Sequence, residues 1–190
     1  MEKRMKLFKN PVFAVALAVV VVIASTLINT NIKFGRKCSA VSDLFYEGVS
    51  TKGYTQTPIA AHLENIIGYA DGLCTIARNY SIDTAETESA SEYLRWSLQE
   101  SYHDSGYVYS NYTDLNAALS SLIDSLERAD LNERDASGVA QYKSSIQGAQ
   151  SAIGESGYNE AVRDFLRRHR HFPTELLADL AGVEYPELFA

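Results

Sequence analysis

The first pattern along the chain is not periodic. Val12 to Ile28 is almost wholly apolar, and no charged residue occurs between Asn10 and Ile32. A helix rises about 1.5 Å per residue, so about 20 such residues cover about 30 Å, the hydrocarbon thickness of a bilayer. The run predicts a transmembrane helix over residues 11–32, with the lipid bilayer as the partner of Val12–Ile28, behind a basic flank over 1–10. A cleaved signal peptide is the competing reading, because Ala24 and Ser25 are small enough for a processing site. Against it, the run is longer than the usual apolar region of a signal, about 7–15 residues.

Beyond the run the pattern turns helical. Val41, Leu44 and Phe45 extend the first helix, which is expected to stop near Gly48, since GVSTKGYTQTP is turn-forming. Thr57-Pro58 reads as an N-cap and first-turn proline. Ile59, Leu63, Ile66, Ala70, Leu73, Ala77 and Tyr80 then recur at alternating steps of four and three, a sustained apolar seam. Gly68 and Gly72 lie off that seam and weaken the helix by up to about 1 kcal/mol each relative to Ala.

Asp83 with Glu86 reads as a capping box for a third helix carrying Tyr93, Leu94, Leu98 and Tyr102. HDSGYVYSNYTD is expected to break it. Leu115, Leu119, Leu122, Leu126 and Ala129 mark a fourth helix, and Val139, Tyr142, Ile146, Ala149 and Ile153 continue with the same spacing. The phase slips at GESG, where Gly154 and Gly157 permit a break. A new stripe runs through Tyr158, Val162, Phe165, His169 and Phe172, and FPTELLADLAG predicts a short helix capped by Thr174 and ended by Gly182. No alternating run suggests a sheet. The predicted class is all-α: one N-terminal transmembrane helix followed by an antiparallel bundle of about four helices over residues 33–190.

Charge sharpens the division. Residues 1–37 hold seven Lys/Arg and one Glu, so the other 10 of 17 basic and 23 of 24 acidic groups leave residues 38–190 at −13. That balance disfavours nucleic acid and anionic membrane surfaces as partners of the bundle. Lys3, Arg4, Lys6 and Lys9 precede the span, while Lys33, Arg36 and Lys37 follow it. The bias places the N-terminus in the cytoplasm and the C-terminal domain outside it, as a single-pass protein of the cell membrane. Cys38 and Cys74 read either as a disulfide, if the domain lies outside the cytoplasm, or as separate thiols with Cys74 half buried.

Candidate chemistry is sparse. In RRHRHFP, Arg167 to Pro173, histidines two apart on a helix point about 200° away from each other. His169 and His171 therefore cannot share a metal ion while both are helical, and the basic residues complement the negative end of the helix dipole. A histidine-based metal site or enzyme would have to use His62, His103 or His169, and none has a ligand partner at the required spacing. No nucleophile elbow, phosphate-binding loop or C-x-x-C is present. We therefore assign no catalytic, cofactor-binding or metal-binding residue. Tyr93, Tyr102, Tyr107, Tyr109 and Tyr112 cluster around the third helix and the loop after it. They read as an amphipathic rim or as a protein-binding patch.

The C-terminal third, YNEAVRDFLRRHRHFPTELLADLAGVEYPELFA, resembles the signature end of the bacterial LemA family. In that family a Tyr-Asn opens a helix, a Phe-Pro closes it, and a short Leu-rich helix leads to a Gly and a Phe-Ala finish. ALSSLIDSLERADL (118–131) is similar to the family's third helix and following Asp-Leu. Tyr158, Asn159, Ala161, Val162, Phe172 and Pro173 match the pattern directly, and His169 stands where the family has an aliphatic residue. The chain departs from it at GAQSAIGESG, where the family is rich in Glu and Arg, and at TQTPIAAHLEN, where it has Asp-Leu-Ile-Pro-Asn. The resemblance implies a divergent member: an antiparallel bundle tethered to a bacterial membrane, without an enzymatic activity or cofactor. It would act with another envelope protein or with copies of itself. A secreted domain released by cleavage after the apolar run is the alternative.

Overall fold

A computed structural model describes residues 11–51, 53–100 and 104–190. Its helices in chain order are α1 (Pro11–Ser42), α2 (Leu44–Glu47), α3 (Ile59–Asn79), α4 (Ala85–Glu100), α5 (Ser105–Arg128), α6 (Glu133–Glu155), α7 (Tyr158–His169) and α8 (Thr174–Leu180). Between α2 and α3 a minimal antiparallel hairpin pairs β1 (Ser50–Thr51) with β2 (Tyr54–Thr55) around Gly53. The chain is all-α, with one long apolar N-terminal helix and a helical bundle. It folds into two compact units. One joins residues 11–40 to Phe165–Tyr185, and the other joins Val41–Asp164 to Pro186–Ala190.

The larger unit is the bundle. Ile59, Leu63, Ile66, Ala70, Leu73 and Ala77 of α3 are all buried, as their spacing requires, and α3 packs against both α4 and α6. Polar pairs across the seams fix antiparallel directions. Arg78 and Arg95 bridge to Glu88 and Asp71 at 2.7 and 3.0 Å along α3 and α4. The Tyr80 hydroxyl donates to Asp135 at 2.8 Å between the end of α3 and the start of α6. Gln150 donates to Asn116, and Lys143 bridges to Glu127, between α6 and α5. Gly72 and Gly138 let α3 and α6 approach closely: a Cβ on Gly72 would stand 2.6 Å from the Tyr142 ring, and one on Gly138 3.2 Å from Ile76.

Several local expectations are corrected. Thr57 does not cap α3; the helix begins at Ile59 with Pro58 at the cap position and no side-chain cap bond. The start of α4 is tied one residue later than the expected box. Asp83 accepts from the Ala85 N–H, and the Thr84 hydroxyl bonds the Glu88 carboxylate. Tyr93 is exposed, while Thr87, Ala90, Ser91, Leu94, Ser97 and Leu98 form the buried face of α4. Small and hydroxylated residues make that face, so its apolar stripe is thin in the sequence.

The largest correction concerns HDSGYVYSNYTD. From Ser105 onward it is helix rather than loop, because α5 starts there and contains Tyr107, Tyr109 and Tyr112. The Asp104 carboxylate accepts from the Tyr107 N–H at 2.7 Å, supplying the N-cap, and Val108 opens the buried stripe that continues through Leu115. Cys74 is fully buried rather than half buried, and both Cys38 and Cys74 are free thiols.

In the smaller unit, Phe34 of α1 stacks on Phe165 at 5.9 Å and meets Tyr185 edge-on at 5.6 Å. Thr174 is the first residue of α8 rather than its cap. The helix ends as expected at Gly182, whose φ of 66° is left-handed. The Val183 N–H reaches back to the Ala178 carbonyl at 3.0 Å, and both side chains are buried. Phe172 does not continue the buried stripe of α7. That helix ends at His169, the chain turns, and the Phe172 ring is 81% exposed.

Candidate functional site

Three groups of residues carry whatever function the sequence points to: the histidine and arginine run, the tyrosines, and the Tyr-Asn opening of α7.

The run ends a helix. His169 sits between aromatic rings, 4.4 Å from Phe165 and 5.6 Å from Phe34, with Nδ1 3.1 Å from the Phe165 carbonyl. Arg170 Nε donates to Glu175 at 2.9 Å. His171 lies past the helix end, where its Nε2 meets the Arg168 carbonyl at 2.9 Å. The two histidines are thus occupied with ring packing and a terminal carbonyl. No group of three metal-ligating side chains is assembled among the described residues. His62 stands alone on α3, and His103 lies outside the described residues.

The tyrosines divide. Tyr93 and Tyr107 are exposed, and Tyr107 meets Trp96 of α4 edge-on at 6.1 Å. Trp96 is itself 52% exposed, so Tyr93, Trp96 and Tyr107 form an outward aromatic group across α4 and α5. The tyrosine pattern alone does not include Trp96, although its position one turn after Tyr93 places it on the same helix face. Tyr109 and Tyr112 turn instead toward the C-terminal tail, flanking Phe189 at 5.1 and 5.5 Å. Burial pushes the Tyr112 phenol above its usual pKa. Tyr102 lies outside the described residues.

The Tyr-Asn pair at the start of α7 closes a clasp. Asn159 exchanges two hydrogen bonds with the Phe189 backbone, accepting from its N–H at 2.8 Å and donating to its carbonyl at 2.9 Å. Tyr158 donates to the Glu187 carbonyl at 2.9 Å, and Ser105 donates to the same oxygen at 2.9 Å. The Glu187 carboxylate approaches the Gly106 N–H at 3.4 Å, against the positive end of α5. Phe189 is seated among Phe45, Tyr109 and Tyr112, and Phe45 meets the Tyr158 ring at 5.6 Å. Burial raises the Tyr158 phenol pKa, which keeps it a hydrogen-bond donor. Val162 is buried behind the clasp, and Ala161 is partly buried beside it. Phe172 and Pro173 lie elsewhere, in the turn between α7 and α8.

A long exposed apolar surface runs along α1. Val12, Val15, Val20, Val22 and Ile28 face outward along one helix long and apolar enough to cross a membrane. No protein-family profile, curated protein or solved structure matches the chain.

Proposed function

We propose that this chain is a membrane-anchored, non-enzymatic helical module of a bacterial cell envelope, a divergent relative of the LemA family, that binds another envelope protein or a second copy of itself. The observation that carries the reading is the outward apolar surface of α1. Leaving Val12, Val15, Val20, Val22 and Ile28 in water costs about 1.5–3 kcal/mol for each large side chain, and a bilayer removes that cost. The span sits with α1 inserted and its N-terminus cytoplasmic, following the basic flank.

Two further observations support the reading, one for its non-catalytic part and one for the partner. The polar groups that the sequence offers for chemistry are engaged in structure: His169 in an aromatic stack, His171 at a helix end, Tyr158 and Asn159 in the C-terminal clasp. The exposed rings of Tyr93, Trp96 and Tyr107 give a partner large, stiff contact area of the kind that dominates interface energetics.

The test is site-specific photocrosslinking in intact membranes, with a photoreactive phenylalanine at Tyr93 or Tyr107. A defined adduct, hetero- or homomeric, is expected at both positions and absent with the probe at Ser120 on the exposed side of α5. Recovery of monomer alone, under conditions that capture a known membrane complex, overturns the partner reading.

A further inference from the structure

The short helix α8 presents a face left exposed among the described residues. Leu176 and Leu180 are 50% and 63% exposed, and Phe172 just before the helix is 81% exposed. Positions four apart share one helix face, so the leucines form one apolar strip, while Ala178 opposite them is buried.

The place of this strip says what it meets. The Asn31 side-chain amide donates to the Ala181 carbonyl at 2.8 Å, pinning the end of α8 to α1. Leu27, Ile28, Asn31 and Ile32 of α1 line, with Leu180 and Ala181, a shallow groove of about 280 Å³. Leu27 to Ile32 are the last residues of the charge-free run, and Lys33 is the first charge after it. Leu180 therefore stands at the level where the apolar run ends, and its surface continues that of Ile28 and Ile32. Immediately beyond come Lys33, Arg36 and Lys37, all exposed.

We propose that α8 is an interfacial foot, lying in the boundary between acyl chains and headgroups, with Phe172, Leu176 and Leu180 in lipid and Lys33, Arg36 and Lys37 at the level of the phosphates. An amphipathic helix beside the end of a membrane span buries its apolar face at that depth, and nearby cations add attraction to anionic headgroups. The inference rests on the reading that α1 spans the bilayer. It makes the smaller unit a two-part anchor, in which a segment more than 130 residues downstream of the span returns to the same membrane surface.

Trp96 is the only tryptophan, which makes a direct test available. In the full chain, Trp96→Phe is combined singly with Val20→Trp, Phe172→Trp, Leu176→Trp or Leu180→Trp, and each protein is reconstituted in phosphatidylcholine–phosphatidylglycerol vesicles. Lipid brominated near the headgroup end of its chains is expected to quench tryptophan at 172, 176 and 180 and to leave Trp96 of the otherwise unchanged chain, reconstituted in parallel, bright. Lipid brominated deeper is expected to quench the Val20→Trp protein. If tryptophans at 176 and 180 keep full emission with bromolipid, the foot is refuted. That holds equally if they are quenched by aqueous acrylamide or shielded from both quenchers by self-association. The Val20→Trp protein then shows whether the spanning reading falls too. Phe172→Trp, a ring-for-ring exchange at an exposed site, guards against distortion by the leucine replacements.

Discussion

Gly68 and Gly72 lie one turn apart on α3, and their replacement by alanine should have opposite effects. Helix propensity alone favours both changes, by about 0.8–1 kcal/mol each, since alanine orders more cheaply than glycine. At Gly68 that gain is unopposed: the residue is exposed and a Cβ meets nothing within 4 Å. At Gly72 the Cβ would stand 2.6 Å from the Tyr142 ring carbon and 2.8 Å from its hydroxyl, so the ring must move. Displacing it costs about 0.5–1.5 kcal/mol in rotamer strain. A further 0.5–1.5 kcal/mol, roughly, goes with its contact to Tyr69, now at 6.2 Å between centroids. The balance is a stabilisation of about 1 kcal/mol for Gly68→Ala and a destabilisation of up to about 2 kcal/mol for Gly72→Ala. Guanidinium unfolding of the full chain in detergent, followed by the emission of the lone Trp96 on α4, reads both. The midpoints should move in opposite directions. If Gly72→Ala stabilises as much as Gly68→Ala, the close approach of α3 and α6 at Tyr142 is wrong.

Other outcomes follow from the same packing. Asn159→Ala removes both bonds to the Phe189 backbone and should free the C-terminal tail without unfolding the bundle. Amide exchange at 187–190 should accelerate while that of α3 stays slow, and unchanged exchange would refute the clasp. Asp104→Ala should cost about 0.5–2 kcal/mol and fray the first turn of α5, read as faster exchange at Tyr107 and Val108. Burial, aided by the Glu88 charge, pushes the Cys74 thiol up to about 11, so it should resist alkylation in the native state at pH 8 and react on unfolding. The sign for stability follows: the folded pKa is raised, so this contribution is intact below pH 9 and is lost as pH rises from 9.0 toward about 11. A midpoint that rises over that range in wild type relative to Cys74→Ala would contradict it.

What the sequence revealed tracks how local each determinant is. The α3 seam was readable because six apolar residues at helical spacing all face one core. The break at GESG was readable because Gly157 takes a φ of 72°, which suits a residue without a side chain. His169 was readable as a stripe residue for the same reason as α3. The start of α5 was not, because Asp104, Ser105 and Gly106 have the composition of a turn, and only the capping bond to the Tyr107 N–H turns them into a helix start. Phe172 keeps the period of the α7 stripe but lies beyond the helix end at His169, so periodicity does not predict its exposure.

The clasp was invisible for a different reason. Tyr158 and Asn159 bond partners about 30 residues downstream, a contact that no local pattern encodes. The resemblance to the LemA signature singled out the same two residues without saying what they hold. The tyrosine group was half legible: composition flagged it, but only packing separates Tyr109 and Tyr112, spent on Phe189, from the exposed Tyr93 and Tyr107.

The central claim is that α1 crosses a membrane and leaves the acidic bundle outside the cytoplasm. Protease accessibility of a C-terminally tagged chain in intact cells tests it most directly. The account predicts that the tag and bundle are digested without lysis, leaving a short membrane-embedded fragment. Full protection until the cells are opened would place the bundle in the cytoplasm, and recovery of the uncleaved domain in the medium would mean that α1 is not an anchor.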